Sequence, residues 1–248
     1  MSSGVCYNYS VVSFAARAVC RTRLRMERNL LTEFFEKQMV PLWGVAGLAE
    51  NSSILLPENL RGRFTSAVVY AFPLSDAVLD LLSGGPDLLY LHHYRQVNYF
   101  LDRVGILTVE LLRQNGFSGL PVPASQVIDW KEQKGLLSLR RLAAAAGLGW
   151  IGRNNLLVTP SFGSRVRFSA VLTDASLDAG KPIAFNCGKC NRCLSLCPAG
   201  AISLKPDDFN LTACRQFIKE TCNRKSIGQN ICGLCLCSAK DRLPDGNT

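Results

Sequence analysis

Four cysteines at 187, 190, 193 and 197, followed at once by Pro198, constrain this chain more than any other stretch. Thiols stepped by three, three and four residues leave that segment little to do except wrap a shared ligand. The C-x2-C-x2-C-x3-C-P run reads as an iron–sulfur loop, in which three thiolates hold one cubane and the fourth, before proline, reaches a second. A second cluster needs further thiols. Cys214, Cys222, Cys232, Cys235 and Cys237 follow, so nine of the eleven cysteines fall in the last quarter of the sequence. Structural zinc competes, but zinc sites usually come as two separated C-x2-C knuckles rather than one continuous triple step. Disulfides fit poorly. The count is odd, neighbouring cysteines are too crowded to pair with one another, and no secretion signal precedes them, which points to a reducing, cytoplasmic compartment.

The remainder of the 248 residues, 48% hydrophobic and 19% charged, is long enough for one sizeable core with a small appended module. No apolar stretch approaches the roughly 20 residues of a membrane helix, and the best candidate, 87–115, is broken by Arg95, Asp102, Arg103, Glu110 and Arg113, so no membrane partner is expected. The net charge of +9 is what a phosphate backbone selects, yet Arg17, Arg21, Arg23 and Arg25 lie in an acid-free leader, and the balance without these four is +5. Basic residues are otherwise scattered, which favours an enzyme or electron carrier over a nucleic-acid-binding module. The division expected is an extension at 1–25, a body at 26–175 opening near Met26, a cysteine module at 176–240 and a tail at 241–248.

Hydrophobic periodicity predicts a mixed α/β body. Leu30, Leu31, Phe34, Phe35 and Met39 recur at helical spacing between Glu27 and Val40, and Pro41 stops the pattern. Buried strands are predicted at 42–48 and 66–72, then a small helix at 75–82. Asp87 should cap a long helix that runs to about Asn115 and closes at Gly116. It carries the only histidines, His92 and His93, which read as helix surface or satisfied packing. A strand is predicted at 122–129. Asp129-Trp-Lys-Glu132 then has the form of a capping box before a helix at 135–146, with Gly147 in the left-handed position after it. Residues 174–182 read as a linker, and short helices are predicted at 198–202 and 211–219.

Gly147-Leu-Gly149-Trp-Ile-Gly152 matches G-x-G-x-x-G, with Asp174 downstream. A dinucleotide loop needs a strand before its glycines and a helix after them, and here the order is reversed. The strands expected next, 155–159 and 165–173, should form a hairpin around Pro160-Ser-Phe-Gly163. The glycines instead suit close backbone approach to a large flat ligand, with Trp150 and Arg153 beside it.

Taken together, Gly147-Leu-Gly-Trp-Ile-Gly-Arg-Asn154, Val171-Leu-Thr-Asp174 and Cys187 to Pro198 resemble epoxyqueuosine reductases, cobalamin-dependent iron–sulfur enzymes related to reductive dehalogenases. The resemblance spans roughly residues 40 to 237. It implies a nitroreductase-like cobalamin-binding body followed by a small ferredoxin-like module with two [4Fe–4S] clusters. A low-potential donor of ferredoxin or flavodoxin type would feed electrons through the clusters to a bound corrinoid that reduces the substrate. The alternative is a ferredoxin-like carrier that reduces a separate corrinoid or flavin protein. Gly149, Trp150, Ile151, Gly152, Arg153 and Asn154 are the implied cofactor contacts. Asp129 is the implied proton donor, a role that competes with helix capping. One cluster takes Cys187, Cys190 and Cys193 with a late cysteine, and the other takes Cys197, Cys214, Cys232 and Cys235. The late ligand is Cys237, with Cys222 as its substitute, because Cys232-Gly-Leu-Cys235-Leu-Cys237 lacks the family's C-x2-C-x3-C-P ending. The family continues beyond its clusters into a helical-repeat segment thought to help hold tRNA. This sequence has eleven residues after Cys237, so the resemblance is to a short form.

Overall fold

The computed structural model describes residues 26–48, 54, 56–125, 127–129, 135–184 and 186–238. Its centre is a four-stranded antiparallel sheet in the order β1-β2-β6-β3, formed by β1 (Leu42–Gly47), β2 (Ser66–Pro73), β3 (Gly119–Val122) and β6 (Val166–Thr173). Between β3 and β6 lies a separate two-stranded ribbon of β4 (Trp150–Ile151) and β5 (Leu157–Val158). Helix α1 (Arg28–Lys37) precedes the sheet, α2 (Asp76–Leu79) and α3 (Leu88–Gln114) follow β2, and α4 (Leu139–Ala145) precedes the ribbon. Two more helices, α5 (Arg192–Leu196) and α6 (Leu211–Arg224), belong to the cysteine-rich part. Among the described residues no helix is long and apolar enough to cross a membrane.

Both faces of the sheet are covered, which explains why Ala67 to Ala71 reads as an unbroken apolar run and is wholly buried. Alternation then sorts the side chains. Val68 and Tyr70 face α3 with Leu101, Val104 and Leu112, whereas Ala67, Val69 and Ala71 face α4 with Leu142 and Ala143. On β6 the same period puts Phe168, Ala170 and Leu172 on the α4 side and Val171 on the α3 side. The Tyr70 hydroxyl, deep in this layer, donates to the Leu101 carbonyl at 3.1 Å and shares a 2.8 Å hydrogen bond with Ser169. It fits because Gly105 has no side chain: a Cβ there would stand 2.6 Å from the hydroxyl.

The 27-residue α3 starts and stops where its chemistry says it should. Asp87 Oδ1 accepts from Tyr90 N at 2.7 Å. At the other end Gly116 takes φ 81°, Phe117 N donates to Leu112 O and Gly116 N to Arg113 O, a left-handed cap that satisfies the last carbonyls. Gly147 closes α4 in the same way, with Leu148 N donating to Ala143 O. Of the two histidines, His92 is exposed and His93 accepts from Ser75 N at 2.9 Å at the start of α2, so packing satisfies it. Burial holds the His93 pKa below its ordinary value. The unfolded chain therefore binds that proton first, and stability present above about pH 6.5 is lost as pH falls through the folded value. The unfolding midpoint should decline below pH 6.5, and His93→Gln should flatten the decline. Equal slopes in the two proteins would remove His93 from the acid response.

Several sequence expectations shift. Helix α1 ends at Lys37 because Met39 turns to φ 55°, which leaves its side chain exposed rather than on the apolar stripe. The strand expected at 122–129 is four residues, 119–122, at the sheet edge, and α4 begins only at Leu139. The proposed capping box falls partly outside the described residues. The expected 155–159/165–173 hairpin does not form as such. β5 pairs with β4, and β6 instead inserts between β2 and β3, with only Thr159 and Gly163 bridging the turn. Residues 198–202 turn instead of coiling, since Gly200 at φ 57° breaks the helix, while α5 lies before them and α6 runs on to Arg224. The linker is packed: Gly180 N donates to Val45 O at 2.8 Å, and Ala175 is fully buried. Cys222, Ile227 and Ile231 share one core with α3, so the cysteine-rich part leans directly on the body.

Candidate functional site

The 187–197 run forms a tight turn, with Gly188 at φ 50° and Cys190 N donating to Cys187 O at 2.9 Å. Its anchor comes from the ribbon. Arg153 follows β4, and its guanidinium donates to three carbonyls: Leu204 at 2.7 Å, Gly188 at 2.8 Å and Cys190. The next residue, buried Asn154, donates from Nδ2 to the Cys235 carbonyl at 2.9 Å and to Ser164 Oγ at 3.3 Å. Ser164 in turn exchanges hydrogen bonds with Cys237, donating its N–H to the Cys237 carbonyl at 2.9 Å and accepting from Cys237 N at 2.8 Å. One short stretch of the body thereby fixes both the first cysteine loop and the last.

This closure sorts the thiols into two neighbourhoods. The Cys193 and Cys237 thiols lie side by side, with Cys190 close enough to act on Cys237; the Cys237 thiol donates to the Cys235 carbonyl at 3.6 Å, and Cys187 Sγ lies beside Gly152. The contact between Cys193 and Cys237 lowers the Cys193 pKa to about 7 and raises that of Cys237. The second neighbourhood is Cys197, Cys214, Cys232 and Cys235, which line one cavity of about 300 Å³. Burial pushes Cys235 up to about 12. Cys222 belongs to neither: it is buried under α3 and donates its thiol to the Ile231 carbonyl at 3.3 Å. Among the described residues no three ligands converge as tightly as a single metal ion would require. A four-iron cubane binds each thiolate through a different iron and holds them further apart, so the donor set fits clusters in kind and number.

The cysteine cavity opens beside a second one of about 300 Å³, and Tyr90, Arg140, Leu156, Arg167 and Leu236 border both. These five residues form the wall that the two cavities share. Of the residues expected to contact a flat cofactor, Asn154 lines the first cavity, whereas Gly149, Trp150, Ile151, Gly152 and Arg153 line neither. The glycines serve the ribbon: a Cβ on Gly149 would lie 2.2 Å from Val158 O. Asp129 is half-buried, on the segment that follows Ala124, a residue bordering the second cavity. Sequence reading missed Tyr90, Tyr94, Arg140 and Arg167. Arg167 carried a signal, being a charge on a strand whose neighbours on both faces are buried.

No protein-family model matches the chain. It is 34% identical over 109 residues to the epoxyqueuosine reductase of Bacillus cereus, a match covering 42% of this chain and 28% of that protein. Over 61 residues it is 51% identical to the epoxyqueuosine reductase of a Synechococcus strain, covering 25% and 19%. The fold is similar to that of Bacillus subtilis epoxyqueuosine reductase with its catalytic aspartate loop swung out of the active site, at TM-score 0.53, 20% identity and coverage of 77% and 57%. In sequence this chain is similar to epoxyqueuosine reductases. An epoxyqueuosine reductase solved with an epoxyqueuosine-modified tRNA-Tyr stem loop matches at TM-score 0.51 and 20% identity, covering 77% and 57%. A reductive dehalogenase of B12-dependent type matches at TM-score 0.54 and 19% identity, covering 66% and 24%. The chain spans less than a third of the length of the curated relatives it matches.

Proposed function

We propose that the epoxyqueuosine reductase-like chain is an iron–sulfur oxidoreductase in which two [4Fe–4S] clusters pass electrons to a cobalamin. The supporting observation is the division of eight thiols into two groups, with Cys222 left in the core. Cys187, Cys190, Cys193 and Cys237 hold one cluster of the ferredoxin-like part. Cys197, Cys214, Cys232 and Cys235 hold the other, next to the nitroreductase-like body. Cobalamin, when bound, supplies the reducing chemistry at cobalt.

The chain's own residues supply the setting. Arg153, Asn154 and Ser164 hold the cysteine loops by their carbonyls, which fixes the cluster positions relative to the body. Leu156, Leu157, Val166, Phe168 and Leu236 exclude water from the cleft. Asp129 is the residue assigned to donate a proton to the substrate. On this reading a modified tRNA nucleoside is the candidate substrate, supported by the relative solved with a tRNA stem loop, and a ferredoxin or flavodoxin in the cytoplasm is the donor that the resemblance implies. Nine free thiols among the described residues accord with a reducing compartment.

Anaerobic reconstitution with iron, sulfide and cobalamin tests this reading. About eight irons and one corrinoid per chain are expected. About eight irons without corrinoid would point instead to an electron carrier, and about four would end the two-cluster assignment. Asp129→Asn should retain the full iron and corrinoid load and lose turnover by at least about a hundredfold. Unchanged turnover would return Asp129 to a structural role.

A further inference from the structure

We propose that the second cavity is an anion subsite for a phosphodiester group, with Arg140 and Arg167 as its cationic walls. The two arginines border both cavities, and among the described residues neither cavity is lined by Asp or Glu. Among the described residues both arginines have only neutral partners. Arg140 donates to the Asn155 carbonyl. Arg167 donates to Asn98 Oδ1 at 3.0 Å and to the Ala124 carbonyl at 2.9 Å, and its guanidinium lies 4.3 Å over the Tyr94 ring. The ion pairs of other arginines, such as Arg165 with Asp76 and Asp80, show that the chain has acids to spend elsewhere.

Guanidinium groups in a partly buried cleft that no described Asp or Glu lines are costly to desolvate, and an anionic ligand offsets that cost. Burial, with Arg141 nearby, already holds the Arg140 pKa below its ordinary value. Guanidinium forks match phosphate oxygens in geometry as well as charge. The rest of the cavity suits a diester rather than a small free ion. Ser138 and Tyr90 bring hydroxyls to it, the Ser164 hydroxyl being held by Asn154 and Cys237, and aliphatic and aromatic walls run on into the first cavity, so a phosphate can sit there with bulky groups on either side.

The negative charge of a loaded cluster is the competing explanation, since Cys197, Cys214, Cys232 and Cys235 line the first cavity. It does not account for the second cavity, which no cysteine lines and which the same two arginines border. Cobalamin and an RNA backbone both carry a phosphodiester, and the subsite rests on the reading of this cleft as the cofactor and substrate site.

Equilibrium binding to the reconstituted full chain separates these cases, with cobalamin, cobinamide (which lacks the nucleotide loop and its phosphodiester) and an RNA stem loop as probes. Arg140→Gln should bind one phosphodiester probe at least about tenfold more weakly, with iron content and cobinamide affinity unchanged. Arg140→Lys should recover part of the loss, and Arg167→Lys should show it with its charge retained. A loss confined to cobalamin assigns the subsite to the cofactor; a loss confined to the stem loop assigns it to RNA. Undiminished affinity for both in folded Arg140→Gln overturns the proposal, as does a change confined to the clusters. If the unaltered chain binds neither probe, the functional reading fails on its own, and inorganic phosphate decides the subsite. Thermal stabilisation by phosphate that Arg140→Gln abolishes supports it, and no stabilisation of the unaltered chain overturns it.

Discussion

Cys214→Ser is expected to lose about half of the iron that the reconstituted chain holds, while Cys222→Ser keeps nearly all of it. The two cysteines lie eight positions apart on α6, both in an amphipathic helix, and sequence spacing alone offers either as a ligand. Their surroundings separate them. Cys214 shares the cavity with Cys197, Cys232 and Cys235. Cys222 is 1% exposed and packs in the core with Ile227 and Ile231, where its thiol is already engaged with a carbonyl. Serine at 214 replaces a soft thiolate with a hard hydroxyl that binds iron weakly, and the cubane loses one of its four protein bonds. Serine at 222 should instead cost stability, roughly 1 kcal/mol for a polar group in an apolar site, with the acceptor at Ile231 retained. Iron and sulfide analysis beside a thermal melt reads both effects at once. Full iron in Cys214→Ser, or halved iron in Cys222→Ser, would reverse the ligand assignment.

The legible parts of the chain are those where a local rule suffices. Asp87, Gly116 and Gly147 mark helix ends through hydrogen bonds that close within a few residues, so their roles can be read without knowing the fold. The cysteine run belongs here too, because its spacing is itself the site. Strand pairing is different. Pro160-Ser-Phe-Gly163 looks like a hairpin turn, and it is a turn, but β6 gains more by burying both faces between β2 and β3 than by pairing with β5. That preference depends on segments nearly a hundred residues away. The arginines of the cleft were hidden for a related reason. Arg140 sits in a Leu-Arg-Arg-Leu stretch where helical arginines usually face water, and only the return of residues 230–236 over it closes the cleft. Arg153 and Asn154 were picked out with a cofactor in view. Their side chains instead donate to carbonyls of the cysteine-rich part, a role that tertiary structure alone reveals.

Gly149→Ala should cost the chain about 3 kcal/mol or more and carry the clusters with it. The added Cβ would stand 2.2 Å from the Val158 carbonyl oxygen, 2.9 Å from its carbon and 3.2 Å from Thr159 Cα. These are backbone atoms of the strand paired with β4, so no rotamer change relieves the clash. The ribbon is short, two pairs, Trp150 with Val158 and Ile151 with Leu157, closed by Gly152 N donating to Leu156 O at 2.8 Å. Separating them displaces Arg153 and Asn154, which follow after Gly152, and with them the bonds to the Gly188, Cys190, Leu204 and Cys235 carbonyls. A methyl group therefore acts on both ends of the cysteine-rich part without touching a thiol. The expected readout is a lower unfolding midpoint in the cluster-free protein and incomplete iron loading in the reconstituted one. Gly62→Ala is the control, since a Cβ there meets nothing within 4 Å and only the φ of 72° opposes it. It should cost about 1 kcal/mol and leave iron loading intact. Full loading in Gly149→Ala together with a lowered midpoint would show that the cysteine loops hold their own geometry, and the ribbon would then be a support of the fold rather than of the site.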